Sequence, residues 1–222
     1  SRTALSMKRL IARLVLWVAG WKQLDPPPDA PRYVAIAAPH TSNWDLVLLL
    51  AVAWLNRVKL SWMGKHTLFR WPFGWLLRAL GGIPIDRRSR HNVVEQMAEV
   101  FRRAKRLVLA IPPEGTRKRA DYWKSGFYQI ARLAGVPIVP GALDYGRKEA
   151  SAGPLILPGE DTLAADMDRI RSFYAGKRGR FPELMGPIRL QEESPDVGEK
   201  DADKEPPALT SSASAPPSPS DD

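Results

Sequence analysis

His40 and Asp45 are the residue types of a proton-transfer pair, separated by four residues. An imidazole is the natural general base near neutral pH, and a carboxylate on its other ring nitrogen fixes the tautomer and supports the imidazolium. On one continuous helix, residues five apart lie about 140° apart around the axis and do not meet. They meet only if His40 sits in a loop, the helix starts near Ser42 and the loop folds back. The flanks supply this arrangement: Tyr33 to Ala38 reads as a buried strand, Pro39 to Asn43 as a polar turn, and Asp45 to Asn56 as a helix apolar nearly all round. Taken alone, Ser42 and Asp45 also fit a helix-capping arrangement with no chemistry.

Two more polar turns follow strand-like runs, as an open α/β sheet requires for a site at its strand ends. Ile83 to Ile85 leads into Asp86 and Arg87, and Leu107 to Ile111 leads into Glu114, Gly115, Thr116 and Arg117. A guanidinium donates two parallel hydrogen bonds, so Arg87 and Arg117 are the candidates to grip a phosphate. Gly115 allows close backbone approach, and Thr116 can cap or donate locally.

The elements that must position these turns alternate. Beyond the first strand and helix come strands at Lys59 to Met63, Ile83 to Ile85, Leu107 to Ile111 and Val136 to Leu143. Helices fall at Asn92 to Lys105, where Val93, Val94, Met97, Val100, Phe101 and Ala104 follow three/four spacing, and at Gly126 to Ala134. This predicts an α/β domain with a mostly parallel central sheet flanked by helices over residues 32–190. Leu155 to Leu157 and Ile188 to Leu190 read as lesser strands around a helix at Thr162 to Tyr174. Residues 1–31 form a leading segment. Met7 to Trp21 reads as a helix with Lys8, Arg9 and Arg13 beside apolar residues, followed by the stiff Pro26 to Pro31 connector. Its uncharged run is too short to span a bilayer, and no small-residue cleavage site follows it, so a helix lying in a membrane interface is the expectation. Residues 191–222, rich in Pro, Ser, Asp and Glu, read as a disordered tail.

The net charge of +9 is unevenly placed. The 191–222 tail carries nine acidic and two basic residues, leaving 31 basic, 15 acidic and +16 on residues 1–190. Such a body suggests an anionic partner: a membrane surface, nucleic acid or a phosphorylated substrate. Seven of the eight tryptophans fall within residues 17–75, and Trp beside Arg and Lys favours a membrane surface over nucleic acid. The absence of cysteine excludes disulfides, thiolate metal sites and a cysteine nucleophile, and three scattered histidines do not suggest a metal site.

Four stretches in order resemble the glycerolipid acyltransferase family, which includes the 1-acylglycerol-3-phosphate acyltransferases. His40-Thr41-Ser42-Asn43-Trp44-Asp45 is similar to its His-x4-Asp motif. Gly81 to Arg87 is similar to its second motif, Pro113-Glu114-Gly115-Thr116-Arg117 to its third with Trp123 to Phe127 behind it, and Val136 to Pro140 to its fourth. The resemblance covers about residues 33–145. Pro84 and Pro112 depart from the family's usual aromatics, which predicts a reshaped acceptor pocket.

The resemblance implies acyl transfer from acyl-CoA or acyl carrier protein to a lysophospholipid hydroxyl, most simply that of 1-acylglycerol-3-phosphate, with no cofactor or metal. It implies His40 as base and Asp45 as its support. Arg87, Glu114, Gly115, Thr116 and Arg117 would form the acceptor and phosphate site, with Val136, Pro137 and Ile138 at the acyl chain. It also implies a peripheral position on the cytoplasmic face of a membrane. The same chemistry on another lysolipid, lipid hydroxyl or amine is one competing reading. A non-catalytic basic module binding membrane or nucleic acid is another.

Overall fold

The computed structural model describes residues 2–85 and 90–193. In chain order the elements are α1 (Arg2–Ala19), β1 (Lys22–Gln23), β2 (Arg32–Ala38), α2 (Trp44–Leu55), β3 (Leu60–Lys65), α3 (Gly74–Ala79), β4 (Gly82–Ile85), α4 (Arg90–Arg103), β5 (Leu107–Ile111), α5 (Gly126–Ala134), β6 (Ile138–Asp144), β7 (Glu149–Ala152) and α6 (Leu163–Tyr174). Among the described residues, seven strands form one sheet in the order β1-β7-β6-β2-β5-β3-β4. The five strands from β6 to β4 run parallel, and β7 joins antiparallel to β6. The expected α/β architecture with a mostly parallel sheet is therefore present.

Crossover handedness sets the layers. The steps β2 to β3 and β3 to β4 go one way along the sheet, and β4 to β5 and β5 to β6 come back. Right-handed crossovers then put α2 and α3 on one face and α4 and α5 on the other. Alternating side chains fill both faces. Val34, Ile36, Leu109 and Ile138 pack with Met97, Phe101, Phe127 and Ile170 of α4, α5 and α6. Tyr33, Val108, Ala110 and Val139 face Leu49, Leu50 and Ala53 of α2. Helix α1 covers the outer side of α2, where Ala12 and Leu16 meet Leu48, Ala51, Leu143 and Ala150. This sandwich explains why α2 is apolar all round.

Two departures concern the margins. Leu155 to Leu157 and Ile188 to Leu190 are not strands. Each contributes a single bridge, Ile156 to Ile138 and Leu190 to Trp123, although Ile156 and Leu190 are fully buried. Their burial comes from side-chain packing, not from a ladder. Conversely, β1 and β7 carry no alternation in their short polar or small-residue sequences; β7 exists because β6 offers it an edge, and β1 because β7 does. Pro84, which lacks an amide hydrogen, stands in the edge strand β4, where pairing runs along one side only. Gln191–Glu193 forms a 3-10 turn against the body, where Glu192 accepts from Ser125 and Glu193 pairs with Arg171. The remainder of the tail lies outside the described residues.

Candidate active site

Parallel strands β2, β5 and β6 end side by side, so the loops that follow them share one rim. After β2 the chain turns through Pro39 and His40 into α2, which starts at Trp44. Helix entry aims the Asp45 carboxylate back at the turn. Asp45 Oδ2 accepts the Ser42 amide at 2.9 Å and lies 3.1 Å from His40 Nδ1. The loop thus folds back as the spacing demands. Ser42 Oγ also accepts the Trp44 amide at 3.2 Å, so a capping arrangement and a His–Asp pair coexist in the same few residues. Asp45 is buried, whereas the His40 side chain is one-quarter exposed. A carboxylate only accepts, so Nδ1 carries the hydrogen and Nε2 keeps its lone pair.

Tyr145, the residue after β6, completes the carboxylate's shell. Its hydroxyl donates to Asp45 Oδ1 at 2.7 Å. Burial, and then this hydrogen bond, hold the phenol well above its ordinary pKa, so it stays a donor. The ring packs edge-on against Trp21, with centroids 4.9 Å apart, at the end of α1. Sequence reading passed over Tyr145, although its place at the carboxyl end of a parallel strand was a usable signal. The Tyr145→Phe variant should keep the ring contact but leave Asp45 Oδ1 buried and unpaired, at a cost of about 1–3 kcal/mol. We expect kcat to fall about tenfold with KM little changed, because a hydrogen bond to a charged group is lost. Steady-state kinetics beside a urea melt check this; an unchanged kcat removes Tyr145 from the positioning shell.

Glu114 takes a different place from that expected. Its Oε1 accepts the His40 amide at 3.1 Å, and its Oε2 is buried with no partner among the described residues. The side chain is not on the cavity wall and braces the histidine backbone. Burial raises its carboxyl above the usual range. The folded state therefore favours the protonated form. The resulting stability is fully present below the unfolded carboxyl's pKa and is lost as pH rises through the folded one. Glu114→Gln keeps an acceptor for the His40 amide and does not titrate. Wild type should thus lose stability relative to this variant between acid and neutral pH, as read from urea midpoints; a constant difference refutes the assignment.

The rim opens into a cavity of about 2010 Å³, larger than the ~300–1,000 Å³ of ordinary ligand pockets. His40, Asp45 and Trp44 line it together with apolar residues from both faces of the sheet: Ala35, Leu49, Val52, Val108 and Val139 on the α2 side, and Ile36, Val93, Val94, Phe127 and Ile130 on the other. Gly115, Thr116 and Arg117 also line it. Gly115 has φ +65°, and a Cβ there would lie 2.7 Å from Lys124 Nζ, so the bare backbone is needed. Arg117, Lys118, Lys124 and Arg180 make the wall cationic. Of the wall's carboxylates, Asp45 is already bonded, Glu192 is held by Ser125, and Asp25 follows β1. Arg180 belongs to the loop after α6, whose Phe181 amide donates to Thr41 Oγ1 at 3.2 Å. That loop was not foreseen, though its run of Lys177, Arg178 and Arg180 was visible.

Two expectations change. Val136, Pro137 and Ile138 do not line the cavity: Val136 and Ile138 pack into the core with α5 and α6, and Val139, on the α2 side of the sheet, lines it. The Ser42 amide is engaged by Asp45. Among the described residues, the Thr41 and Asn43 amides of this turn donate to no protein acceptor. Of the two departing prolines, Pro112 lines the cavity and Pro84 does not. Arg87 lies outside the described residues.

A family model described as Acyltransferase matches residues 23–144, more than half of the chain and the whole stretch from β1 to the end of β6. The chain belongs to the acyltransferase family. Among its relatives, the proteins named 1-acyl-sn-glycerol-3-phosphate acyltransferase from Salmonella typhimurium and Escherichia coli are each 27% identical over 193 residues, covering 79% of this chain and 75% of theirs. The Streptococcus pneumoniae protein of the same name is 31% identical over 134 residues, 57% of this chain and 49% of its own. The crystal structure of the Thermotoga maritima 1-acyl-sn-glycerophosphate acyltransferase, PlsC, shares the fold at TM-score 0.52 and 16% identity over 76% of both chains. This acyltransferase thus has its His–Asp pair at the mouth of an apolar cavity.

Proposed function

We propose that this acyltransferase moves a fatty acyl group from the thioester of CoA or acyl carrier protein to the free hydroxyl of 1-acylglycerol-3-phosphate, giving phosphatidic acid. The observation that carries this reading is the 3.1 Å His40–Asp45 pair set between an apolar cavity and a cationic wall. His40 Nε2 takes the acceptor's hydroxyl proton. The oxygen attacks the thioester carbonyl, the C–S bond breaks, and the imidazolium returns its proton to the thiolate. Asp45 stabilises the imidazolium, and the Thr41 and Asn43 amides are placed to receive the oxyanion. Arg117, with Arg87, grips the acceptor phosphate, while Lys124 and Arg180 add positive charge nearby. The apolar space under α2 takes the acyl chain.

No described helix is long and apolar enough to cross a membrane. Helix α1 exposes Leu10, Leu14, Trp17 and Val18, and the first acidic residue of the chain is Asp25. These features support a peripheral seat on an anionic, cytoplasmic membrane surface.

The test is thiol release from acyl-CoA with 1-acylglycerol-3-phosphate, 1-acylglycerol and lysolipids carrying larger head groups. The phosphorylated acceptor should give the highest kcat/KM. Arg117→Ala should raise its KM about tenfold or more while leaving the donor's unchanged. Equal rates with 1-acylglycerol would overturn the acceptor assignment. A covalent acyl-enzyme formed without acceptor would overturn direct attack.

A further inference from the structure

We infer that the segment Leu68–Leu76 is a second membrane-docking element, which with α1 seats the site's rim on an anionic bilayer. The segment follows β3 and carries Trp71, Phe73 and Trp75, whose exposures are 92%, 67% and 71%. Such exposure is not explained by a loose loop. Phe69 is buried at its start, wedged so closely over β3 and β4 that a Cβ at Gly64 or Gly82 would lie 2.8 or 2.6 Å from its ring. Gly74 is packed against the Phe69 carbonyl, where a Cβ would come within 2.0 Å. The backbone is anchored at Phe69 and Gly74, and the large aromatics at 71, 73 and 75 face solvent.

The other tryptophans sort differently. Trp21 and Trp123 are core, Trp62 donates to the Leu80 carbonyl, and Trp54 lies under Lys8. Trp17 at the end of α1 and Trp44 at the start of α2 are exposed, at 78% and 57%. Three aromatic groups therefore stand at the rim where His40 lies: at the end of α1, at the start of α2 and after β3. All belong to the same layer over the sheet. Trp44 and Leu68 also line the cavity.

Two observations select the occupant. First, α1 lies over β6 and β7, while the Phe69 anchor sits on β3 and β4. Five strand spacings separate β7 from β4, about 24 Å, which a planar surface spans and a small ligand does not. Second, residues 46–85 contain no acidic residue, and Lys65, Arg70 and Arg78 interleave the aromatics. Exposed Trp and Phe among cations match the headgroup region of an anionic leaflet. A second copy of the chain would bring like charges together across a two-fold axis. In this arrangement the cavity mouth opens onto the leaflet that holds a lipid acceptor. The docking claim rests on the lipid-acceptor reading only in that last step.

The experiment uses the full chain and its Trp71→Ser/Phe73→Ser/Trp75→Ser variant, with near-UV circular dichroism as the check on folding. Sedimentation with phosphatidylcholine–phosphatidylglycerol vesicles is measured without any substrate. Partitioning should fall about tenfold or more in the variant, since binding scales with the apolar area inserted. Thiol release with acceptor dispersed in detergent should be unchanged. A change in partitioning of less than twofold overturns the proposal. So does lipid-free self-association of the wild type that the triple variant abolishes, which would assign the patch to a second copy. A Trp71→Phe/Trp75→Phe variant, which keeps interfacial aromatics, should retain binding; its loss would also count against a lipid surface. Absence of detergent-phase activity in the wild type would refute the acyltransfer reading and leave the docking result standing.

Discussion

Acyl transfer by the His40→Ala variant falls about 10²–10⁴-fold, the contribution of a positioned general base. Among the described residues the imidazole's Nε2 has no partner, while Nδ1 is engaged by Asp45 and the backbone amide by Glu114. The two anchors are separate, and this makes the experiment clean. Alanine keeps the backbone amide bonded to Glu114, and the Ser42 amide and Tyr145 hydroxyl still hold the Asp45 carboxylate. Thermal stability and vesicle binding should therefore stay close to wild type while turnover is lost. The measurement is thiol release from acyl-CoA with a saturating lysophospholipid, beside a thermal melt. Activity retained within a few fold would mean that another group removes the proton.

Asp45→Asn should cost about 10²–10³-fold in kcat, the range found when a preorganised electrostatic partner is removed. Hydrogen bonding at this site predicts why. The Ser42 amide selects the new side chain's oxygen at the Oδ2 position, which still accepts from His40 Nδ1. The amide nitrogen then faces the Tyr145 oxygen, which accepts a hydrogen bond in place of donating one. Each of the three contacts keeps a donor facing an acceptor, so the fold and the histidine tautomer persist. What disappears is the negative charge that supports an imidazolium. Steady-state kinetics, with nitrogen-15 NMR of the His40 ring to report the tautomer, separate the two effects. A loss of less than tenfold with the tautomer intact would show that the charge of Asp45 is not used.

Both predictions turn on the same physical arrangement. A histidine in a loop is normally mobile, and ordering it costs conformational entropy. Here the cost is spread over groups already fixed by secondary structure: the first turn of α2 fixes Asp45, the end of β5 fixes Glu114, and the end of β6 fixes Tyr145. Parallel pairing places those strand ends side by side, so three short loops converge on the His40–Asp45 turn. The edge-on contact between Trp21 and Tyr145 extends the support to the end of α1.

What the sequence determined by itself was local. Three/four spacing marked α4, continuous apolar runs marked β2, β5 and β6, and the five-residue step from His40 to Asp45 required a fold-back at a helix start. Each of these is carried by neighbours within one or two turns of chain, where periodicity and turn chemistry are written directly. Tertiary structure decided the partners. Tyr145 lies 100 residues from Asp45, and Phe181 lies 140 from Thr41; no local pattern encodes such meetings. It also decided parity. Successive strand residues face opposite sides, so Val139 looks into the cavity while Val136 and Ile138 look into the core, and the choice depends on which helices cover which face. Glu114 was positioned in the same way: its motif placed it at the site, but only the packing of β5 beside β2 put its carboxyl under the His40 amide and off the cavity wall.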